Sequence, residues 1–133
     1  MSAADKVEKS VRAAVEVALD KKATDLVVLR VGDVSSIADY FVVCSTGSER
    51  QSLAVTEGIE QALRERLGIK PLLVEGRRPG RWVLLDYGDF VVHVFTEETR
   101  GFYRLERLWD DAPDETSRFA EDDGAIASAA SES

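Results

Sequence analysis

The side chains in this sequence that could support covalent or metal chemistry do not form a complete set. Its only thiol and only imidazole, Cys44 and His93, could act as a nucleophile and a base. Each lies in an apolar run typical of a strand, where cysteine usually behaves as a small buried apolar residue. Asp86 and Asp89 could ligate a metal ion, but no third carboxylate or second histidine lies nearby. We therefore predict no catalytic residue, no metal site and no cofactor.

A phosphate site is the remaining chemical possibility. Gly47 and Ser48 lie between a predicted strand and a predicted helix, where free backbone N–H groups can bind a phosphate. A glycine and a capping serine are also what the geometry of such a turn requires. A nucleotidyltransferase would need paired carboxylates on the next strand, and the sequence Leu72-Leu73-Val74 has none. An enzyme that binds nucleotides at Gly47 and Ser48 is therefore the alternative function, and a structural dimerisation module is a third.

Composition places the chain among globular proteins of a single main domain. It has 133 residues, of which 44% are hydrophobic, and this is enough for a core. No apolar run approaches the roughly 20 residues that span a bilayer, and the N-terminal segment does not resemble a signal peptide. One cysteine permits no internal disulfide, which fits a reducing cytoplasm. The formal net charge of −8 disfavours direct nucleic-acid binding and favours a basic protein partner.

Hydrophobic periodicity predicts the elements that precede residue 76. A helix with one apolar stripe covers residues 7–19. Two strands, at residues 26–31 and 39–45, should pair antiparallel because their connection is short. Ser48 begins a second helix, with Gln51 at capping-box spacing, and Gly68 ends it.

A strand at residues 72–75 follows that helix. The order strand, helix, strand is a crossover, so at least one strand pair must be parallel. The predicted class is therefore α/β, with a mixed β-sheet flanked by helices.

The stretch from Glu75 to Phe95 predicts a β-hairpin with a turn at Tyr87-Gly88. That turn would set three facing pairs on one side of the hairpin: Asp86 with Asp89, Leu84 with Val91, and Trp82 with His93. The other side is uniformly apolar and is the natural core face; it comprises Val83, Leu85, Phe90, Val92 and Val94.

The mixed side of the hairpin predicts a protein-binding surface, because Trp, Tyr and Arg are enriched at binding hot spots. The predicted contact residues are Trp82, Asp86, Tyr87, Asp89 and His93. A helix that covered this side would instead make Trp82 a core residue, and the sequence leaves both interpretations open. The preceding arginines, Arg77, Arg78 and Arg81, suit either a phosphate clamp or a solvated loop.

The last two segments differ sharply in composition. Residues 96–109 predict a third helix with Phe102, Leu105, Leu108 and Trp109 facing inward. From Asp110 onward acidic residues, Ser and Ala predominate. We predict that the domain comprises residues 1–112 and that residues 113–133 form an acidic, disordered tail.

Several short motifs, taken in order, resemble the ribosomal silencing factor (Iojap) family. The match extends to Ala112, and its specificity comes from the order and spacing of the fragments. They are ADYFVVCSTGS at 38–48, Arg50-Gln51, Glu75-Gly76, Gly80-Arg81-Trp82, LDYGD at 85–89, VHVF at 92–95, Arg100, Phe102-Tyr103, Leu105-Glu106 and Leu108-Trp109.

The resemblance implies a nucleotidyltransferase-like domain that lacks catalytic carboxylates. It also implies binding to the large ribosomal subunit through its fourteenth protein, which blocks joining of the small subunit and represses translation. A homodimer in the free state and a cytoplasmic location are further expectations. The contact residues predicted above occupy positions that match the family motifs.

Overall fold

A computed structural model of the chain describes residues 2–32, 38–103 and 111–120, without the side chains of residues 102 and 103. Five strands and two long helices make up most of this part, together with two short helices. The elements are α1 (Ala3–Asp20), β1 (Thr24–Arg30), β2 (Tyr40–Thr46), α2 (Glu49–Leu67), β3 (Leu73–Glu75), β4 (Trp82–Asp86), β5 (Phe90–Thr96), α3 (Glu97–Tyr103) and α4 (Thr116–Phe119).

The five strands form one mixed sheet in the order β1-β2-β5-β4-β3. β1 and β2 are antiparallel, as their short connection predicts. β2 and β5 are parallel, while β4 is antiparallel to both β5 and β3. The predicted α/β class, with a mixed sheet flanked by helices, is confirmed. β2 and β5 are central, so their residues are the most deeply covered.

The helices α1 and α2 cover one face of the sheet and enclose the main core. Their apolar stripes meet alternate residues of the strands, including Val42, Cys44 and Val92, which are fully buried. The predicted apolar side of the hairpin, Val83, Leu85, Phe90, Val92 and Val94, belongs to this core. No helix among the described residues is both long and apolar enough to cross a membrane.

One glutamine connects the ends of α1 and α2. Ser48 Oγ accepts the backbone N–H of Gln51 at 3.1 Å, which confirms the predicted N-cap of α2. The Gln51 side chain accepts the N–H of Gly47 at 2.7 Å and donates to the carbonyls of Lys21 and Lys22. Gly68 ends α2 in the left-handed conformation.

The predicted hairpin register is wrong by two residues. Trp82 pairs with Phe95, Leu84 with His93, and Asp86 with Val91. The Tyr87 N–H donates to the Phe90 carbonyl, so the two-residue loop is Gly88-Asp89. A shift of two residues keeps every side chain on its predicted face, because strand side chains alternate with a period of two.

The opposite face of the sheet is covered in part by α3. Arg100 of this helix is buried, and its guanidinium donates to the Asp25 carbonyl at 2.6 Å and to Ser45 Oγ at 2.8 Å. These bonds connect α3 to β1 and β2. The helix predicted for residues 96–109 was placed one residue early, because Thr96 still belongs to β5. Its predicted inward residues, Phe102, Leu105, Leu108 and Trp109, lie outside the described side chains.

The C-terminal segment differs from the predicted disordered tail. Asp114 forms a β-bridge with Leu29, and Phe119 is 4% exposed and packs in the main core. The predicted domain boundary at residue 112 is therefore too early. Apolar content is low in this segment, but a few backbone bonds and one aromatic anchor suffice to order it. Residues 121–133 lie outside the described part.

Candidate partner-binding site

Four aromatic rings from three adjacent strands form a cluster on the α3 side of the sheet. The ring of Trp82 on β4 lies 4.8 Å from that of Phe95, its cross-strand partner on β5. His93 lies parallel to Phe95 at 5.9 Å and edge-on to Phe41 of β2 at 4.8 Å. The cluster forms because side chains alternate between the two faces along a strand, which places Trp82, His93 and Phe95 on one face of the sheet.

A hydrogen bond joins the two nitrogen-containing rings of this aromatic cluster. Trp82 Nε1–H donates to His93 Nδ1 at 3.2 Å. Nδ1 must therefore be unprotonated, which places the proton of neutral His93 on Nε2. Burial lowers the pKa of His93 from 6.5 to about 4, so the ring is neutral at physiological pH. The ring acts here as a buried support for the indole.

Trp82 lies at the boundary between core and solvent, with 36% of its surface exposed. The sequence left open whether this residue is core or surface. In the structure, part of its side chain packs in the aromatic cluster and part is exposed to solvent. Leu72 and Leu73, at the start of the neighbouring edge strand β3, are 76% and 47% exposed. These three are the exposed large hydrophobic residues of the described chain, and we call Leu72, Leu73 and Trp82 the apolar edge. The two leucines were not among the predicted contact residues, although adjacent leucines at the start of a short predicted strand are a usable signal.

The two acids of the hairpin do not oppose each other. Asp86 pairs with Leu73 and Val91, and its Oδ1 accepts the Gly88 N–H at 2.8 Å. Asp89 is exposed at the tip of the loop. The predicted facing of Asp86 and Asp89 is therefore wrong in the corrected register. Asp86 remains half-buried beside the apolar edge and places a negative charge there.

Tyr87 lies on the other side of the hairpin from Trp82. Its ring stacks on Phe90 at 4.9 Å and packs against the main core. Burial, together with the nearby Glu60 carboxylate, raises the pKa of its hydroxyl above the usual value. The structure thus brings together Trp82 and His93, places Asp86 on the same face at the other end of β4 and Asp89 at the tip, and separates Tyr87 from that face.

The arginine loop between β3 and β4 is held against α2 at two points. Arg77 pairs with Glu60 at 2.6 Å, and Arg81 pairs with Glu49 at 3.1 Å. Gly76 has φ 83°, and a Cβ on this residue would lie 1.9 Å from the Trp82 carbonyl oxygen. Only glycine permits the chain to cross Trp82 so closely. The main role of the arginine loop is therefore to position Trp82 and not to bind a phosphate.

The predicted alternative site at Gly47 and Ser48 borders an open cleft of about 700 Å³. Its N–H groups are partly used by protein atoms, since Gly47 donates to Gln51 Oε1 and the Ser48 hydroxyl caps the helix. Two acids, Glu49 and Glu98, and two arginines, Arg50 and Arg81, also line the cleft, and Arg81 is paired with Glu49, so the lining carries no clear excess of positive charge for a phosphate. The geometry thus favours a satisfied helix cap over a nucleotide site.

The structure separates the residues of the possible thiol dyad. Cys44 packs in the main core on the helical side, while His93 lies on the opposite face of the sheet. Burial raises the pKa of the Cys44 thiol to about 12, so it carries almost no thiolate. Within the described residues, no group of three or more His, Cys, Asp or Glu side chains could hold a metal ion.

Comparison with known proteins relates this arrangement to one family. The sequence model described as "Ribosomal silencing factor during starvation" matches residues 4–133. The chain belongs to the ribosomal silencing factor family. Ribosomal silencing factor RsfS of Halalkalibacterium halodurans is 45% identical over 94 residues, which cover 71% of this chain and 80% of that protein. The protein of the same name from Bacillus subtilis is 44% identical over 94 residues, covering 71% and 79%.

The fold of this ribosomal silencing factor family member also has a close counterpart among solved structures. A crystal structure of a Chromobacterium violaceum protein superimposes with a TM-score of 0.75 at 31% identity. The alignment covers 83% of this chain and 88% of that one. The family resemblance inferred from the sequence motifs is confirmed. The predicted contact residues remain a prediction, now with a defined placement for each side chain.

Proposed function

We propose that this protein binds the large ribosomal subunit through its fourteenth ribosomal protein and blocks association with the small subunit, which represses translation in the cytoplasm. Family membership supports the ribosome as the partner. One structural observation carries the choice of surface. The exposed large hydrophobic side chains among the described residues, Leu72, Leu73 and Trp82, belong to β4 and to the start of the neighbouring edge strand β3. Exposed apolar surface near one sheet edge is the kind of surface that marks interaction sites.

Trp82 has the properties of an interface anchor. Its exposed part offers apolar area, while its buried part is held by Phe95 and by the hydrogen bond to His93. An indole that is fixed before binding loses little conformational entropy on association. Truncation of anchors of this kind typically costs about 2 kcal/mol or more of binding free energy. In this proposal His93 contributes to binding by supporting the indole from beneath.

Charge supports a protein surface as the target. The chain carries a net charge of −8, and ribosomal RNA phosphates would repel it. A basic ribosomal protein would instead attract Asp86 beside the apolar edge and Asp89 at the loop tip. The charges would mainly accelerate association, and the indole would slow release.

The same apolar edge explains the expected homodimer of the free protein. β3 is a short edge strand with Leu73 exposed, and a second copy could cover it in the absence of ribosomes. Dimerisation and ribosome binding would then compete. Light scattering across a micromolar concentration series should show a dimer in the wild type and a shift toward monomer in Leu73→Ser. A wild-type monomer at high micromolar concentration would reject the dimer.

Co-sedimentation with purified large subunits tests the proposed surface. We expect Trp82→Ala to weaken binding at least tenfold. Asp89→Asn should slow association and flatten its salt dependence, whereas Glu57→Gln, an equal charge change at an exposed position on α2, should have no effect. A Trp82→Ala variant that stays folded at the assay temperature and binds normally would place the partner surface elsewhere.

A subunit-joining assay tests the proposed mechanism separately from binding. Light scattering during assembly of purified small and large subunits should show less association when the wild-type protein is present. Trp82→Ala should restore joining in proportion to its loss of binding. Tight binding without inhibition would remove the blocking mechanism and retain the ribosome as partner. Calorimetry with nucleotides and magnesium addresses the enzyme alternative, for which we expect no heat of binding and no turnover.

A further inference from the structure

Residues 113–120, which we call the edge segment, pack on the outer side of β1; residues 113–115 pair with it in the manner of an added strand, and the helix α4 follows. The Arg30 N–H donates to the Pro113 carbonyl at 2.9 Å, and the Glu115 N–H donates to the Val28 carbonyl at 2.8 Å. Asp114 forms the bridge with Leu29 between these bonds. This pattern is β-augmentation, in which an extended peptide pairs with an exposed sheet edge.

A hydroxyl group extends this pairing. The Val28 N–H donates to Thr116 Oγ1 at 2.9 Å, and the Thr116 hydroxyl hydrogen-bonds to Asp114. Thr116 is buried. The outward N–H groups of Val28 and Arg30 on β1 are therefore both satisfied by the edge segment. A partner that replaced the edge segment would have to supply acceptors at the same two positions.

An aromatic side chain anchors the far end of the edge segment. Phe119 meets the ring of Tyr40 edge-on at 5.5 Å. The guanidinium carbons of Arg12 and Arg118 lie 5.3 and 5.2 Å from the centre of the Phe119 ring. Arg12 also donates to the Arg118 carbonyl at 3.0 Å. The receptor for this anchor, built from α1 and β2, is thus a small pocket with an aromatic wall and a cationic rim.

The attachment of the edge segment is lighter than that of the strands. Phe119 is its one large buried apolar side chain, and its ion pairs, Arg118 with Glu8 and Arg30 with Glu115, are partly exposed. Exposed ion pairs contribute little to stability. Elements with few buried apolar contacts open locally without global unfolding. The edge segment therefore resembles a bound peptide more than a sheet strand.

We propose that the β1 edge and the Phe119 pocket form a second protein-binding site, which the chain's own edge segment occupies as a tethered, releasable ligand. The site would take a peptide that pairs with β1 and then forms one helical turn, with an acidic residue followed four positions later by an aromatic residue, as in Glu115 and Phe119. Arg30 would meet the acid, and Arg12 and Tyr40 would hold the ring. The site is separate from the apolar edge and does not depend on ribosome binding.

Hydrogen exchange on the full wild-type chain tests whether the edge segment is released. The amides of Val28 and Arg30 point to the edge segment, while that of Leu29, between them, points to β2. We expect Val28 and Arg30 to exchange at least tenfold faster than Leu29. Phe119→Ala should accelerate the first two and leave Leu29 unchanged. Equal exchange of all three amides in both proteins would make the edge segment a permanent part of the fold and overturn the proposal.

Binding in trans tests the peptide chemistry. A fluorescent peptide of residues 113–120 should bind the full-length Phe119→Ala protein at least tenfold more tightly than the wild type, whose site is occupied. The same peptide with Phe119→Ala should bind neither protein. Equal affinity of the two peptides for the variant would overturn the aromatic requirement. If the Phe119→Ala variant melts at an abnormally low temperature, the hydrogen-exchange pattern of the wild-type chain decides whether the edge segment is released.

Discussion

The indole nitrogen of Trp82 donates to Nδ1 of His93 across 3.2 Å, and this bond joins β4, next to the edge strand, to the central strand β5. The two residues are diagonal neighbours, since Trp82 pairs with Phe95 and His93 with Leu84. The bond exists only while Nδ1 of His93 is unprotonated. Trp82 is therefore linked to a titratable group that solvent barely reaches.

Protonation of His93 should make folding stability depend on pH. Its pKa is about 4 in the folded protein and 6.5 in the unfolded chain. Because the unfolded chain binds this proton more readily, stability should fall by about 3 kcal/mol as the pH drops from 6.5 to 4. Denaturant unfolding at pH 7 and 4.5 should show a larger loss in the wild type than in His93→Gln. Equal losses would assign the acid sensitivity to the carboxylates that both proteins share.

Removing the indole N–H should separate the hydrogen bond from the apolar contact. Trp82→Phe should destabilise the fold by about 1 kcal/mol, because a buried acceptor loses its donor. Trp82→Ala should cost about 3 kcal/mol, since Phe95 also loses its packing. A double-mutant cycle with His93→Leu, measured by chemical denaturation, should give a coupling of about 1 kcal/mol. No coupling would mean that the bond contributes nothing to stability.

Two glycine-to-alanine variants form a matched pair that tests how closely the chain between β3 and β4 approaches Trp82. Gly76→Ala should destabilise by at least 2 kcal/mol, because φ is 83° and the new Cβ meets the Trp82 carbonyl oxygen. Gly101→Ala, in α3, meets nothing within 4 Å and should be neutral or stabilising by about 1 kcal/mol. Thermal melting of both variants checks this. If Gly76→Ala lowered the melting temperature only slightly, the backbone near Trp82 would have to shift to make room for the new Cβ.

Cys44 should be unreactive in the folded protein. Burial raises its pKa to about 12, and thiol reagents attack the thiolate. We expect the native protein to resist an aromatic disulfide reagent for hours and to react with one equivalent in denaturant. Because Cys44 is the sole thiol, the absorbance change reports this residue alone. Rapid labelling under native conditions would show an accessible, activated thiol.

Two truncations should separate the packed and acidic parts of the C-terminus. Deleting residues 113–133 should lower the melting temperature, because the edge segment buries Phe119 and satisfies amides of β1. Deleting residues 121–133 should leave melting and ribosome co-sedimentation unchanged, since this stretch has few large apolar side chains. An equal loss of stability in both truncations would show that residues 121–133 also pack on the domain.

The sequence by itself determined the helices and strands that have a strong hydrophobic periodicity or an explicit capping residue. Alternation assigned the residues of the two hairpin strands to their faces, and Ser48 and Gly68 marked the ends of α2. The family followed from the order of short motifs, because a series of weak fragments at fixed spacing is rarely shared by chance. These features depend on local geometry, which the sequence encodes directly.

Only the tertiary structure decided the hairpin register, the side on which Tyr87 lies and the role of the C-terminal segment. Turns at Tyr87-Gly88 and at Gly88-Asp89 satisfy the same alternation, and the choice between them depends on pairing with β2 and β3. The edge segment has too few apolar residues to signal order locally. Its stability comes from contacts with β1, α1 and Tyr40, which lie more than 70 residues away in the sequence.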